Sequence, residues 1–406
     1  DGDGYNVAVG HSAGLSVTSG TYNTLIGGLA GDALTTGNSN VAMGYQALSN
    51  ETAGDRNVAI GFSALSNQNY GSDLDTYNVA VGYNAGTSMT TGVNNTIIGG
   101  LAGDAITSGD RNIAIGHNAL GSEDTGNRNV AIGYNALSTQ NYGTDNYNVA
   151  IGYGVGSDII DGVENVLIGA LAGESLTTGH YNVAIGTRAL NTEDGHGYCV
   201  AIGRDALKNQ NAGANAYNVA MGYQAGLEVT TGVRNVVIGG LAGDALTTGS
   251  RNVAVGYSAL SVEDAGSYNT AIGYNALRDQ DAGDAYNTAL GYNAGVLTTT
   301  GASNTIIGAL AGDALTTGGS NVAIGRSALS LEDTGSKAIA IGFGALANQN
   351  YAGDSYNVAM GYQAGNDITT GVENVLLGGN AGDSLTSGSY NIAIGRNALQ
   401  AEDGHG

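Results

Sequence analysis

The 406-residue chain carries 70 Gly, no Pro, no Trp and one Cys, and 42% of it is hydrophobic, chiefly Ala, Val, Ile and Leu. That hydrophobic content excludes a disordered segment, and the lone Cys excludes both an internal disulfide framework and a cysteine metal cluster. A net charge of −23 with 12 basic residues argues against nucleic acid or an anionic membrane as partner, and no apolar run nears the roughly 18 residues that insertion into a bilayer requires.

Residues 6–13 read Asn-Val-Ala-Val-Gly-His-Ser-Ala, and variants of this octet recur along the chain. With the leading Asn as offset zero, the first four units begin at Asn6, Asn23, Asn40 and Asn57, and the next four at Asn78, Asn95, Asn112 and Asn129. They continue from Asn148, Asn165, Asn182, Cys199, Asn218, Asn235, Asn252, Asn269, Asn287, Asn304, Asn321, Ala338, Asn357, Asn374 and Asn391, which makes 23 units. Three steps of 17 residues are followed by a fourth of up to 21, so units fall into groups of four, here A, B, C and D, in superperiods beginning near 6, 78, 148, 218, 287 and 357. Each unit is too short to bury its own apolar face and must stack on its neighbours. The pattern therefore predicts an all-β chain: one parallel β-solenoid over residues 1–406, a segment of a longer fibre protein. Its 23 coils, each with two short strands and two turns, would extend about 110 Å at about 4.8 Å per rung.

Within a coil, offset +3 is always Ile, Val, Leu or Met, and +1 is Val, Ile or Thr. This period of two is expected to turn +1 and +3 into the core and +2 outward. Gly at +4 in every coil, and another at or beside +14, mark the turns. Asn6, Asn23, Asn40, Asn57, Asn78, Asn95, Asn112 and Asn129 are expected to begin a structural amide ladder, which Cys199 and Ala338 interrupt; Cys199 reads as packed and inert. A and B coils carry Gly at +8 and usually an apolar residue at +11, whereas C and D coils carry Leu at +8 and Glu or Gln at +11, so one large apolar side chain per coil arrives from alternate offsets.

Bulky residues replace Ala at +2 in every B coil: Leu25, Ile97, Leu167, Val237, Ile306 and Leu376. Taken as outward, they form a candidate interface between copies of the chain. All 23 Tyr lie at −1, at +5, or in the stretch that closes D coils, and are expected to pack from coil to coil, with glycan binding by the D-coil loops as the alternative. Glu51, Glu123, Glu193, Glu263, Glu332 and Glu402 at +11, with Asp32, Asp104, Glu174, Asp244, Asp313 and Asp383 at +9, read as solvated acidic stripes. The glycine-rich calcium repeat is absent, and the Thr pairs near +12 are interrupted in C and D coils, which breaks the flat array that ice binding needs. Five scattered His show no ligand spacing. No metal, cofactor or catalytic site is expected.

The octet, plainest at residues 6–13, 57–64, 129–136 and 391–398, resembles the head repeats of YadA-like trimeric autotransporter adhesins and the repeats of phage tail fibres. The resemblance implies a left-handed β-roll, usually trimeric, on a cell or virion surface; the 17-residue coil, longer than that of the adhesin heads, is a departure. The expected function is structural or adhesive, as the shaft, head or repeating body of an extracellular fibre whose main partner is itself, as a homotrimer or an end-to-end or lateral polymer. A glycan-binding adhesin or phage receptor-binding module is the alternative and a fibre-borne polysaccharide depolymerase a remoter one. An export signal is expected to lie outside this segment.

Overall fold

The computed structural model describes residues 4–400, with 23 three-residue strands from β1 (Val7–Val9) to β23 (Ile392–Ile394), one per coil, and no helix among the described residues. Every strand pairing is parallel and joins consecutive coils at equivalent offsets, as in Val41↔Val58, Ala42↔Ala59 and Met43↔Ile60. The chain is a β-solenoid of about 23 turns with about 17 residues per turn. Its contacts divide into two compact units, Asp1–Cys199 and Val200–Gly406.

Each coil has one strand, not the expected two, because the rest of the turn is built on left-handed residues. Offsets +6 and −1 have positive φ in coil after coil, as at Leu29 (57°), Asn118 (55°), Tyr77 (51°) and Arg128 (60°). C and D coils place even Leu in this region at +8, as in Leu48 (53°) and Leu65 (50°). L-residues resist this conformation. Inter-coil hydrogen bonds hold it, for example Leu29 N–H to the His11 carbonyl (2.8 Å) and Leu48 N–H to that of Ala64 (3.0 Å).

Gly at +4 is required twice over. Its φ runs from 120° to 145°, and a Cβ there would press on the following coil, 2.4 Å from the Gly116 carbonyl oxygen for Gly99.

The orientation of the strands is opposite to the sequence expectation. Offset +2 is buried and +1 and +3 face outward, so the strands show a half-exposed, buried, half-exposed pattern. Leu25, Ile97, Leu167, Val237, Ile306 and Leu376 are therefore core residues, exposed by 1% or less, and not an outer stripe. The interior is too narrow for two branched side chains per strand. Ala at +2 and +7 fits it, as Ala42, Ala47, Ala59 and Ala64 show. The B-coil exception fills space that Gly at +8 leaves in its own coil and the one before: a Cβ on Gly14 or Gly31 would lie 2.7 or 2.8 Å from Leu25 methyls, and one on Gly156 or Gly173 2.9 Å from those of Leu167. Leu at +8 in C and D coils and an apolar +11 in A and B coils complete the packing, as expected from their exchange.

Leu167→Ala should cost about 2–5 kcal/mol, whereas Val166→Thr, one residue away on the outer face, should cost about 0.5 kcal/mol or less. Urea unfolding followed by circular dichroism measures both.

Candidate functional site

Two features dominate the described surface and the wall behind it: a braced line of amides and the uncharged strand face that it holds flat. In the first unit, Asn23 donates its backbone N–H to Asn6 Oδ1 (2.8 Å), and Asn40, Asn57, Asn95, Asn112 and Asn129 repeat this bond to Asn23, Asn40, Asn78, Asn95 and Asn112 at 2.8–3.0 Å. In A, B and C coils up to Asn374 the side chain also donates Nδ2 to the +14 carbonyl of its own coil, as Asn23 does to Gly37 (2.8 Å) and Asn95 to Gly109 (2.8 Å), whereas the D-coil Asn57 donates to Asn40 Oδ1 (3.1 Å) and Asn129 and Asn269 leave Nδ2 without a partner among the described residues. The ladder therefore runs chiefly from side chain to backbone, satisfying the buried amide that starts each strand. Asn78 reaches back to Asn57 Oδ1 at 3.2 Å across the longest insertion, where Thr76 Oγ1 donates to the same oxygen (2.8 Å). The second unit repeats the pattern from Asn218 to Asn391. Buried Cys199 and Ala338 keep the backbone donation, to Asn182 Oδ1 (3.0 Å) and Asn321 Oδ1 (2.9 Å).

The +11 carboxylates are not solvated. Glu51, Glu123, Glu193, Glu263 and Glu332 are fully buried, and Glu402 lies outside the described residues. Glu51 Oε1 accepts the N–H groups of Thr52, Ala53 and Gly54 at 2.8–3.1 Å, and its Oε2 accepts Gln68 Nε2 (3.1 Å). Glu332 accepts Gly335 N–H (2.7 Å) and Gln349 Nε2 (2.9 Å), and Gln349 Oε1 accepts Asn357 Nδ2 (2.9 Å). The Glu and Gln at +11 thus form a buried chain in the pairs Glu51–Gln68, Glu263–Gln280 and Glu332–Gln349, joining the C-coil turn to the ladder where the D-to-A insertion stretches it, while Glu123 accepts Asn146 Nδ2 (2.9 Å) and Gln140 donates to Asn129. Burial pushes the carboxyls of Glu123, Glu263 and Glu332 upward, against the amides that they accept. The +9 acids are half-buried; burial likewise raises Asp104, Asp244 and Asp313.

Two groups bring three potential metal-ligand atoms within 4.8 Å: Glu193, Asp194 and His196, and Glu263, Asp264 and Asp281. The Glu263 oxygens are already committed to Gly266 N–H (2.6 Å) and Gln280 Nε2 (3.2 Å), and Glu193 Oε1 to His196 N–H (3.2 Å). Thr hydroxyls are committed too, as Thr35 Oγ1 donates to the Thr52 carbonyl (2.9 Å) and Thr90 to that of Thr107 (3.1 Å).

Outward from the ladder lie four columns, at −1, +1, +3 and +5. The two strand columns are Val, Ile, Thr, Leu or Met throughout, and none of their side chains is charged in a chain of net charge −23. At −1, rings pack from coil to coil, as Tyr181 with Tyr198 (5.1 Å between centroids) and Tyr268 with Tyr286 (4.9 Å). At three D-to-A insertions a cation covers the ring instead: Arg56 over Tyr77, Arg128 over Tyr147 and Lys337 over Tyr356 at 5.1–5.6 Å, with Asp75, Asp145 and Asp354 as ion partners. At +5, exposed rings stack in threes. Sequence periodicity missed this face; the absence of charge from both strand columns was its legible signal.

The chain matches no protein-family model and no curated protein.

Thr298 fills an A-coil +11 position that is Val, Met or Ile in the other coils of its class, and its buried Oγ1 has no hydrogen-bond partner. Thr298→Val should stabilise by about 1 kcal/mol, read as a higher urea midpoint.

The raised carboxyls bind a proton more tightly when folded. Their stabilisation is complete below the ordinary Glu range and is lost as pH rises through the folded values. The melting temperature should fall as pH rises above the ordinary Glu range, and Glu332→Gln should shallow that slope in a calorimetric pH series.

Proposed function

We propose that this chain is the structural body of a self-associating fibre, and that the strand face is where further copies of it bind. One observation carries the reading: two uncharged, half-exposed side chains per coil line the strand face of each of the two compact units of a strongly acidic chain. Contiguous apolar surface of this kind marks an interaction site when it exceeds a few hundred Å². A second copy suits it best. Only a surface with the same rung spacing of about 4.8 Å meets each Val and Ile with an equivalent side chain, and an uncharged seam lets two acidic chains approach without setting like charges opposite each other.

Resemblance to trimeric adhesin heads supports a closed homotrimer, and an end-to-end or lateral polymer is the other form of the same proposal. An extracellular, cell-surface or virion setting fits a fibre of this kind. The reading is non-catalytic: the recurring Glu residues are covered and held by turn amides, out of reach of a polymeric substrate.

Light scattering across a concentration series is expected to give a mass of several chains for the wild type. Ile115→Asp with Ile132→Asp, on the outer face, should lower that mass to one chain with the circular dichroism unchanged. A wild type monomeric at every concentration would sink the proposal. Leu25→Asp with Leu167→Asp should instead unfold the coils, because those side chains are core.

A further inference from the structure

The ring stacks at +5 break at each B coil. Tyr45, Phe62 and Tyr83 stack at 5.5 Å per step, His117, Tyr134 and Tyr153 at 5.4–5.5 Å, and Tyr257, Tyr274 and Tyr292 at 5.5–5.6 Å. The B coils contribute only Gly or Ala there, so Gly28 lies between His11 and Tyr45, Gly100 between Tyr83 and His117, and Gly240 between Tyr223 and Tyr257. The ring that borders the gap is the barer one: Tyr83 and Tyr153 are 57% and 60% exposed, against 47% for Phe62 and Tyr134 inside their stacks.

The backbone demands no small residue at these places, and packing demands none at Gly100 and Gly240, while at Gly28 the Tyr45 ring would have to shift by a few tenths of an ångström. None of the three has a positive φ. A Cβ would meet only the neighbouring ring, at 3.8 Å for Gly100, 3.5 Å for Gly240 and 3.3 Å for Gly28. The gap is therefore a property of the outer surface and not a requirement of the solenoid.

We propose that the B-coil gaps at Gly28, Gly100 and Gly240 are slots that bind a pyranose ring of a neutral glycan between two aromatic walls. Each slot is the place of the one ring that the B coil omits from an otherwise continuous column, so it admits a single six-membered ring between the rings of the coils before and after it. Sugar C–H groups meet the electron-rich faces of Tyr, the arrangement in which aromatic rings attract partial positive charge. The acidic chain repels anionic glycans, which selects neutral ones. The slots lie beyond the Gly turn from the strand face, and this binding does not depend on self-association.

The test applies the full chain to an array of neutral pyranose oligosaccharides and then titrates the best-retained one against intrinsic tyrosine fluorescence. Retention is expected, and Gly28→Tyr, Gly100→Tyr and Gly240→Tyr together should weaken the affinity about tenfold or more by completing the ladder. The filled variant carries the side chain that neighbouring coils hold at that offset, and its circular dichroism and mass should match the wild type. Tyr83→Ala with Tyr223→Ala should weaken binding similarly by removing walls. No retention on any neutral oligosaccharide, or retention that the filled variant leaves unchanged, overturns the proposal.

Discussion

The structure depends on how closely each coil approaches the next. At offset +4 two backbones come so near that a single Cβ would lie about as close as a bonded neighbour's atom, 2.3 Å from the Gly82 carbonyl oxygen in the case of Gly61. That approach brings the coils into register, so that amides between Asn57 and Asn78 or between Leu29 and His11 find carbonyls one rung away. Backbone polar groups that would otherwise be buried without partners are satisfied along the stacking direction, which frees the coil from needing long strands. The Asn line then holds the start of each strand by the same rule, with one side chain serving two coils.

A spacing imposed on every rung leaves little freedom in the interior, and the four-coil superperiod is one way of filling it. Bulk moves between +2, +8 and +11 from coil to coil, with Leu25 covering for Gly14 and Gly31 and Leu48 and Leu65 filling the next two coils. Where Leu takes +8, the +11 position turns to Glu or Gln, and these two side chains form a buried chain to the ladder. The same chain secures the one place where spacing varies, the D-to-A insertion, whose outer side is clamped at three insertions by a cation over a Tyr ring and at a fourth by stacked Tyr rings. Apolar filling and polar bracing are thus alternatives at one offset, chosen by which side chain occupies the space beside it.

Function is read from what this interior leaves outside. Because the narrow core accepts Ala at +2, the branched side chains of the strand are displaced to the surface, where they form an uncharged face flanked by aromatic columns. The self-association and the glycan binding proposed above would use different columns of that surface, the strand pair for one and the +5 ridge for the other.

The repeat, its length, the parallel stacking, the Asn line and the exchange of bulk between +8 and +11 were legible in the amino-acid sequence, because each is a matter of residue identity at a fixed interval. The direction of the strand side chains was not. A period of two separates Val58 and Ile60 from Ala59 but does not say which set is inside, and hydrophobicity alone favours the wrong one. Interior width decides it, and that width follows from left-handed residues such as Leu29 and Leu120, whose φ no propensity forecasts. Glu51 and Glu332 likewise looked like surface acids until the turn amides that surround them were placed. Identity and interval are local and survive in one dimension; which face is inside, and which charge is buried, depend on distances across the coil that only the folded chain establishes.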